Sequence, residues 1–243
     1  MLKEIFKDHF MTDEEFLDSL SKVEIYCQIL LGILRYVPTK QKKSQRECEE
    51  IIVKNLKFNN YKEVILLRAC IDNLEDTQYA INECFKNGLE ISDVNLGERY
   101  LRLYGVLNSY YQQMFCLFDL ARLFNLTNQS QIKEKFKNFD IIKLRNKIAS
   151  HPTNYVDDFE NKNDFDFYRI TQTSLTKWCK NLSIVSHKNK HEEVNLIALM
   201  NAFTNSLELE LHMVCKKAIN SIFKQNSESK SWLLFRLNYA ANK

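Results

Sequence analysis

An arginine, an asparagine and a histidine stand within seven residues of one another in RNKIASH, Arg145 to His151, and Pro152 follows directly. These side-chain types suit work on a phosphodiester. Histidine titrates near neutral pH and can move protons. Arginine offers a planar fork of donors to phosphate oxygens and stays cationic as negative charge builds in the transition state. Asparagine can orient a ribose or the imidazole. RNA carries its own nucleophile, the 2′-hydroxyl. A site acting on it must deprotonate that hydroxyl, stabilise the pentacoordinate phosphorus and protonate the leaving oxygen, and it needs no metal or other cofactor. Arg145, Asn146 and His151 are the candidate catalytic groups. The chain has no glycine-rich phosphate loop, no G-x-S-x-G and no H-E-x-x-H.

The element that must present these groups reads as a helix over 129–151. On an unbroken α-helix Arg145 and His151 would lie about 120° apart and would not share a face. A proline pushes the residue before it out of the α region. His151 is therefore expected at a turned helix end, its ring swinging back as the arginine reaches forward. The same segment carries six positive side chains, Lys133, Lys135, Lys137, Lys143, Arg145 and Lys147, against Glu134 and Asp140. That local excess attracts a phosphate backbone, and Lys143 and Lys147, which flank the arginine, are the expected RNA contacts. The loop that follows is acidic, with Asp157, Asp158, Glu160, Asp164 and Asp166. It would repel RNA unless it folds away or holds His151 in its charged form.

The rest of the chain reads as a helical scaffold. TDEE, Thr12 to Glu15, is an N-cap followed by acids at the positive end of a helix dipole. It opens a helix expected over 13–36 and stopped by Pro38. Further helices are expected over 43–56, over 61–87 with Gly88 as C-cap, and over 97–125. In the last of these Leu103, Leu107, Tyr110, Met114, Leu117, Ala121 and Phe124 recur at spacings of four and three, which makes a core face. Gly105 in mid-helix is expected to mark a close helix crossing. Residues 165–187 are rich in Thr, Ser, Tyr, Trp, Ile and Val and read as a short β-hairpin or an irregular insert. A long helix is expected over 191–224, with Leu196, Met200, Phe203, Leu207, Leu211, Val214 and Ala218 on one side, and a short one at the C-terminus.

Composition agrees with that scaffold. Four glycines and two prolines in 243 residues leave few turn formers for sheets. The fold class expected is all-α, an up-and-down helical bundle whose core is the helices over 61–87, 97–125, 129–151 and 191–224. In domain terms, N-terminal helices in 1–58 pack on a bundle over 59–243 that carries an insert at 153–190. A net charge of +3 gives no global argument for nucleic acid, so any basic surface is local. Seven cysteines, an odd number at wide spacings, read as buried small hydrophobes in a reducing compartment. His187 and His191 are four apart beside Glu192 and Glu193, a spacing that can hold a metal. Their Lys- and Asn-rich surroundings favour a solvated loop, and no metal is expected. No apolar run approaches the roughly 20 residues of a membrane span, and the first residues lack a secretory apolar region. A cytoplasmic protein is expected.

The order arginine, asparagine, four further residues, histidine, at the end of a late helix in a bundle, resembles the HEPN superfamily. Its motif is R-x(4–6)-H, often with asparagine directly after the arginine. The resemblance covers about residues 61–224 in architecture and 145–151 in motif. It implies a four-helix core and a metal-independent endoribonuclease of toxin–antitoxin or phage-defence type. It also implies a homodimer in which two copies of the motif face one cleft, and an antitoxin or other regulatory protein as partner. Some members carry a tyrosine two residues after the histidine, a target for nucleotidyl transfer. Thr153 holds that place here and Tyr155 lies two further on, so that form of regulation is not expected. Two other functions stay open: a non-catalytic HEPN-like module that binds a nucleotide or a partner protein, and a helical scaffold with a chance motif.

Overall fold

A computed structural model describes residues 12–35, 44–91, 94–150, 167–223 and 227–243. Among these the chain forms nine α-helices and one small sheet. The helices are α1 Asp13–Ser19, α2 Lys22–Arg35, α3 Gln45–Leu56, α4 Tyr61–Asn87, α5 Leu96–Leu123, α6 Gln129–Lys137, α7 Asp140–Arg145, α8 Leu196–Ile222 and α9 Glu228–Asn242. A π turn, Asn146–Ser150, follows α7 directly. The sheet is β1 Tyr168–Ile170, β2 Leu182–Ser186 and β3 His191–Val194, antiparallel in the order β1-β2-β3. The protein is an all-α bundle with a small β insert.

The apolar stripes account for the core. All seven stripe residues of α5 and all seven of α8 are buried. The α4–α5 pair makes the most extensive helix–helix contact. Helix α2 is apolar on nearly every side, with Ile25, Cys27, Ile29 and Leu30 fully enclosed. A helix of that kind belongs inside a core, and α2 packs against α4, α8 and α9. It therefore lies within the bundle and not on its outside. The expected core of four long helices gave it no such place.

Three helix ends differ from expectation, each for a local reason. The helix expected over 13–36 breaks at Leu20, which is extended (ψ 147°). Ser21 starts a new helix through a capping box with Glu24: its N–H and hydroxyl both donate to the Glu24 carboxylate, at 2.8 and 2.5 Å. The helix expected over 129–151 breaks at Asn138 and Phe139. The Phe139 backbone is extended (ψ 136°), and the bend lets Phe136 and Phe139 pack against one ring, Phe203, at 5.2 and 5.3 Å between centroids. The helix expected from 191 starts at Leu196, where Asn195 caps it by accepting from the Ala198 N–H at 3.0 Å. Residues 191–194 pair with β2 instead, so the insert gains a third strand at the expense of the helix.

Gly88 ends α4 as expected. Its φ of 68° and ψ of −152° lie in a region that side chains with a Cβ avoid. A Cβ there would meet the Lys177 carbonyl oxygen at 2.5 Å. The neighbouring Leu89 N–H donates to that same oxygen at 2.7 Å, which fastens the insert to the end of α4. A bidentate ion pair reinforces the junction. Arg99 Nε and Nη2 donate to the two Glu90 carboxylate oxygens, each at 2.7 Å, and Nη1 donates to the Leu175 carbonyl at 2.7 Å.

Candidate functional site

The site grows from the seam between α5 and α7. Helix α7 is short, but its Ile141, Ile142 and Leu144 are buried against the bundle. That anchorage sets the azimuth of Arg145, the last residue of α7. The guanidinium carbon lies 3.9 Å from the centre of the Tyr111 ring, a cation–π stack on α5. Arg145 Nη1 also donates to Asn146 Oδ1 at 3.1 Å. The arginine is thus held on two sides by uncharged groups, and among the described residues it has no carboxylate partner. Among the described residues its charge is positioned without being neutralised. Five guanidinium N–H groups are available in all, so donors remain for a phosphate.

Immediately after Arg145 the backbone changes its winding. Residues 146–150 form a π turn. Such turns accommodate more residues per turn than an α-helix and recur at functional sites. The 120° separation expected between Arg145 and His151 assumed α geometry as far as the histidine. The helix leaves that geometry at Asn146, five residues before the histidine. Inside the turn Ile148 is buried and holds it to the core.

The predicted site residues do not all share one environment. Arg145 and Asn146 are brought together. Lys143 is half-buried on α7, two residues before Arg145, with no ion pair among the described residues. Lys147 is engaged elsewhere. Its Nζ lies 2.7 Å from Glu192 Oε2 on β3 and 5.1 Å from the centre of the Tyr168 ring on β1. It clasps the π turn to the sheet, and only by exchanging that carboxylate would it reach a phosphate. His151 lies outside the described residues, as do Pro152, Thr153, Tyr155 and the acidic residues of 157–166.

Two contributors were not anticipated. Tyr111, the platform for Arg145, stands next to the core residue Tyr110 in the sequence, and no spacing singles it out. Glu192 drew notice only as a neighbour of His191. In the sheet His191 is exposed at the start of β3, opposite Val185. The His187 ring lies 5.3 Å from that of Phe167. Among the described residues no group of three or more His, Cys, Asp or Glu is placed to hold a metal ion, and no helix is long and apolar enough to cross a membrane.

On its outward side α5 exposes several large apolar side chains on the face that carries Tyr111. Leu101, Tyr104 and Phe115 fall on the same side of the helix as Tyr111 and are 74, 40 and 45 % exposed. Gly105 lies among them, and a Cβ built there meets nothing within 4 Å. Among the described residues the crossing expected at that glycine is not made. No protein-family model, curated protein or solved structure matches this chain.

Proposed function

We propose that this chain is a metal-independent endoribonuclease of toxin or defence type. It cleaves RNA by attack of the 2′-hydroxyl, at a HEPN-like site composed of Arg145, Asn146 and His151 from two copies of the chain. The observation that carries this reading is the stacked Arg145, which has no carboxylate partner among the described residues. The Tyr111 ring fixes a planar fork of donors without taking up the charge, which suits phosphoryl oxygens. His151 takes the proton from the 2′-hydroxyl, and the histidine of the second copy protonates the leaving 5′-oxygen. The exposed side of α5 next to Tyr111 supplies apolar area for the second copy. A cytoplasmic location and an antitoxin or other regulatory partner belong to the same proposal.

The test is cleavage of RNA in the presence of a chelator by wild type, Arg145→Ala and His151→Ala. General acid–base groups contribute about 10²–10⁴-fold, so His151→Ala should lose at least about 100-fold. Equal cleavage by wild type and His151→Ala rules the mechanism out. A second reading, a non-catalytic HEPN-like module that binds a nucleotide or a partner protein, is favoured by Lys147, whose charge is spent on Glu192. Wild-type protein that binds RNA or nucleotide without cleaving any RNA decides for it.

A further inference from the structure

The Lys147 ammonium joins the π turn to the insert through two partners of different kinds. It donates to Glu192 Oε2 on β3 at 2.7 Å, and it lies 5.1 Å from the centre of the Tyr168 ring on β1. The strand register explains how one cation meets both outer strands. Tyr168 pairs with Ser186 and Glu192 with Ile184. Partners across a ladder, and residues two apart along a strand, share one face of a sheet. Tyr168 and Glu192 therefore flank Ile184 and Ser186 of β2 on the same face, and the latter two are buried. Lys147 lies across that face.

The two contacts differ in how freely they can be given up. The Glu192 side chain is 46 % exposed and that of Lys147 16 %. Glu192 stands on an outer strand, and among the described residues Lys147 is its only cationic partner. Its carboxylate can turn into water without uncovering the core, and an ion pair with one partner half in solvent holds weakly. A phosphate oxygen offers the ammonium the same kind of acceptor as the carboxylate it replaces. We propose that Glu192 is an internal competitor of RNA: its carboxylate holds the Lys147 ammonium in the free protein, and a backbone phosphate of the bound strand displaces it.

The inference rests on the reading of this site as one that binds RNA, and it gives the insert a chemical task. Lys147 is neutralised before and after the exchange, and the charge set free is that of Glu192, which ends in water. Binding at this point breaks one ion pair to make another, so the strand is held less tightly than a free lysine would hold it. Arg145, two residues earlier, has no such competitor among the described residues. The arginine meets a phosphate directly and the lysine only in exchange. A strand that reaches Arg145 alone therefore leaves the clasp between turn and sheet closed.

The experiment measures binding of the full chain to a single-stranded RNA whose 2′-hydroxyls are methylated, which removes the nucleophile and so prevents cleavage. Wild type, Glu192→Gln, Lys147→Gln and the double variant form a cycle. With Lys147 present, Glu192→Gln should tighten binding about 2- to 5-fold, the strength of an exposed ion pair. With Lys147 replaced, the same change should have almost no effect. Lys147→Gln should also lower the slope of log affinity against log salt by about 0.7, the share of one phosphate on a single strand. Lys147→Met, which keeps an apolar stem beside Tyr168, takes the place of the glutamine variant if that variant fails to fold. Equal tightening by Glu192→Gln in both backgrounds shows simple repulsion and overturns the proposal. So does an unchanged salt slope in Lys147→Gln. Wild type that binds no RNA takes down the reading of the site itself. Wild type that binds RNA without coupling between Lys147 and Glu192 takes down this inference alone.

Discussion

The guanidinium of Arg145 lies 3.9 Å from the centre of the Tyr111 ring, so a residue at the end of α7 is held by one in the middle of α5. Removing the ring should leave the fold and loosen the arginine. A partly desolvated cation–π contact is worth about 0.5–2 kcal/mol, roughly a 2- to 30-fold effect at 25 °C. Tyr111→Leu should therefore lower RNA cleavage by about that factor, and Tyr111→Phe should preserve it. Arg145→Lys should lose more than Tyr111→Leu, because an ammonium cannot reproduce the planar fork. Single-turnover cleavage rates of the variants check the order. A Tyr111→Leu protein as active as wild type would separate the platform from function.

The two glycines with the clearest geometry should respond to alanine with opposite signs. At Gly88 the backbone conformation and the Lys177 carbonyl both resist a Cβ. Gly88→Ala should cost about 1–3 kcal/mol from the backbone alone, with the clash in addition. At Gly105 a Cβ meets nothing within 4 Å, and the residue lies inside a helix. Gly105→Ala should stabilise the isolated chain by about 0.5–1 kcal/mol. Urea unfolding at low protein concentration measures both.

Leu101 tests the second copy. It is exposed on α5 beside Gly105. Leu101→Asp places a charge on that side without touching the core, so the chain should fold normally. If two copies meet there, sedimentation should show wild type as a dimer and the variant as a monomer, with cleavage lost in parallel. A wild type that stays monomeric at all accessible concentrations removes the composite site.

Phe203 is the ring on which α5, α6 and the start of α7 converge. Its centroid lies 5.0 Å from that of Tyr110, 5.2 Å from Phe136 and 5.3 Å from Phe139. Phe203→Ala should cost about 3–5 kcal/mol, since the removed ring leaves a cavity between three elements. Phe203→Leu should cost less. Because α7 carries Arg145, the alanine variant should also loosen the Arg145–Tyr111 stack. Equilibrium denaturation gives the first effect, and cleavage well below the melting temperature gives the second.

Glu90 sets a pH response. The two hydrogen bonds from Arg99 hold its carboxyl below the usual carboxylate range. A carboxyl whose pKa is depressed in the folded state binds its proton more readily when unfolded. Its contribution is fully present above the unfolded value of about 4.5 and is lost as pH falls through the lower folded value. Glu90→Gln should lower the melting temperature near neutral pH and flatten its decline below about pH 4.5. Melting temperatures from pH 7 to 3 for wild type and variant check both features.

Elements whose cause is local are legible in the order of the residues. The stripes of α5 and α8 are buried residue for residue, because a 3.6-residue period is written in one dimension and has one outlet, a core face. The span 61–87 and its glycine stop are equally local, and so is the cap at Thr12. The capping box of Ser21 and Glu24 was present in the sequence and divides a helix that looked continuous. Other features depended on partners distant in the chain. The break at Phe139 follows from a ring at 203, and β3 forms because β2 offers it a hydrogen-bonding edge. At the site, the sequence marked Arg145, Asn146 and His151 by type and spacing. That Arg145 rests on Tyr111, that Lys147 is tied to Glu192 and that the helix leaves α geometry at Asn146 emerge with the folded chain. The physical reason is common to all three. A side chain's charge and chemistry belong to its residue, but the surface it rests on and the charge that meets it come from segments brought near only by folding.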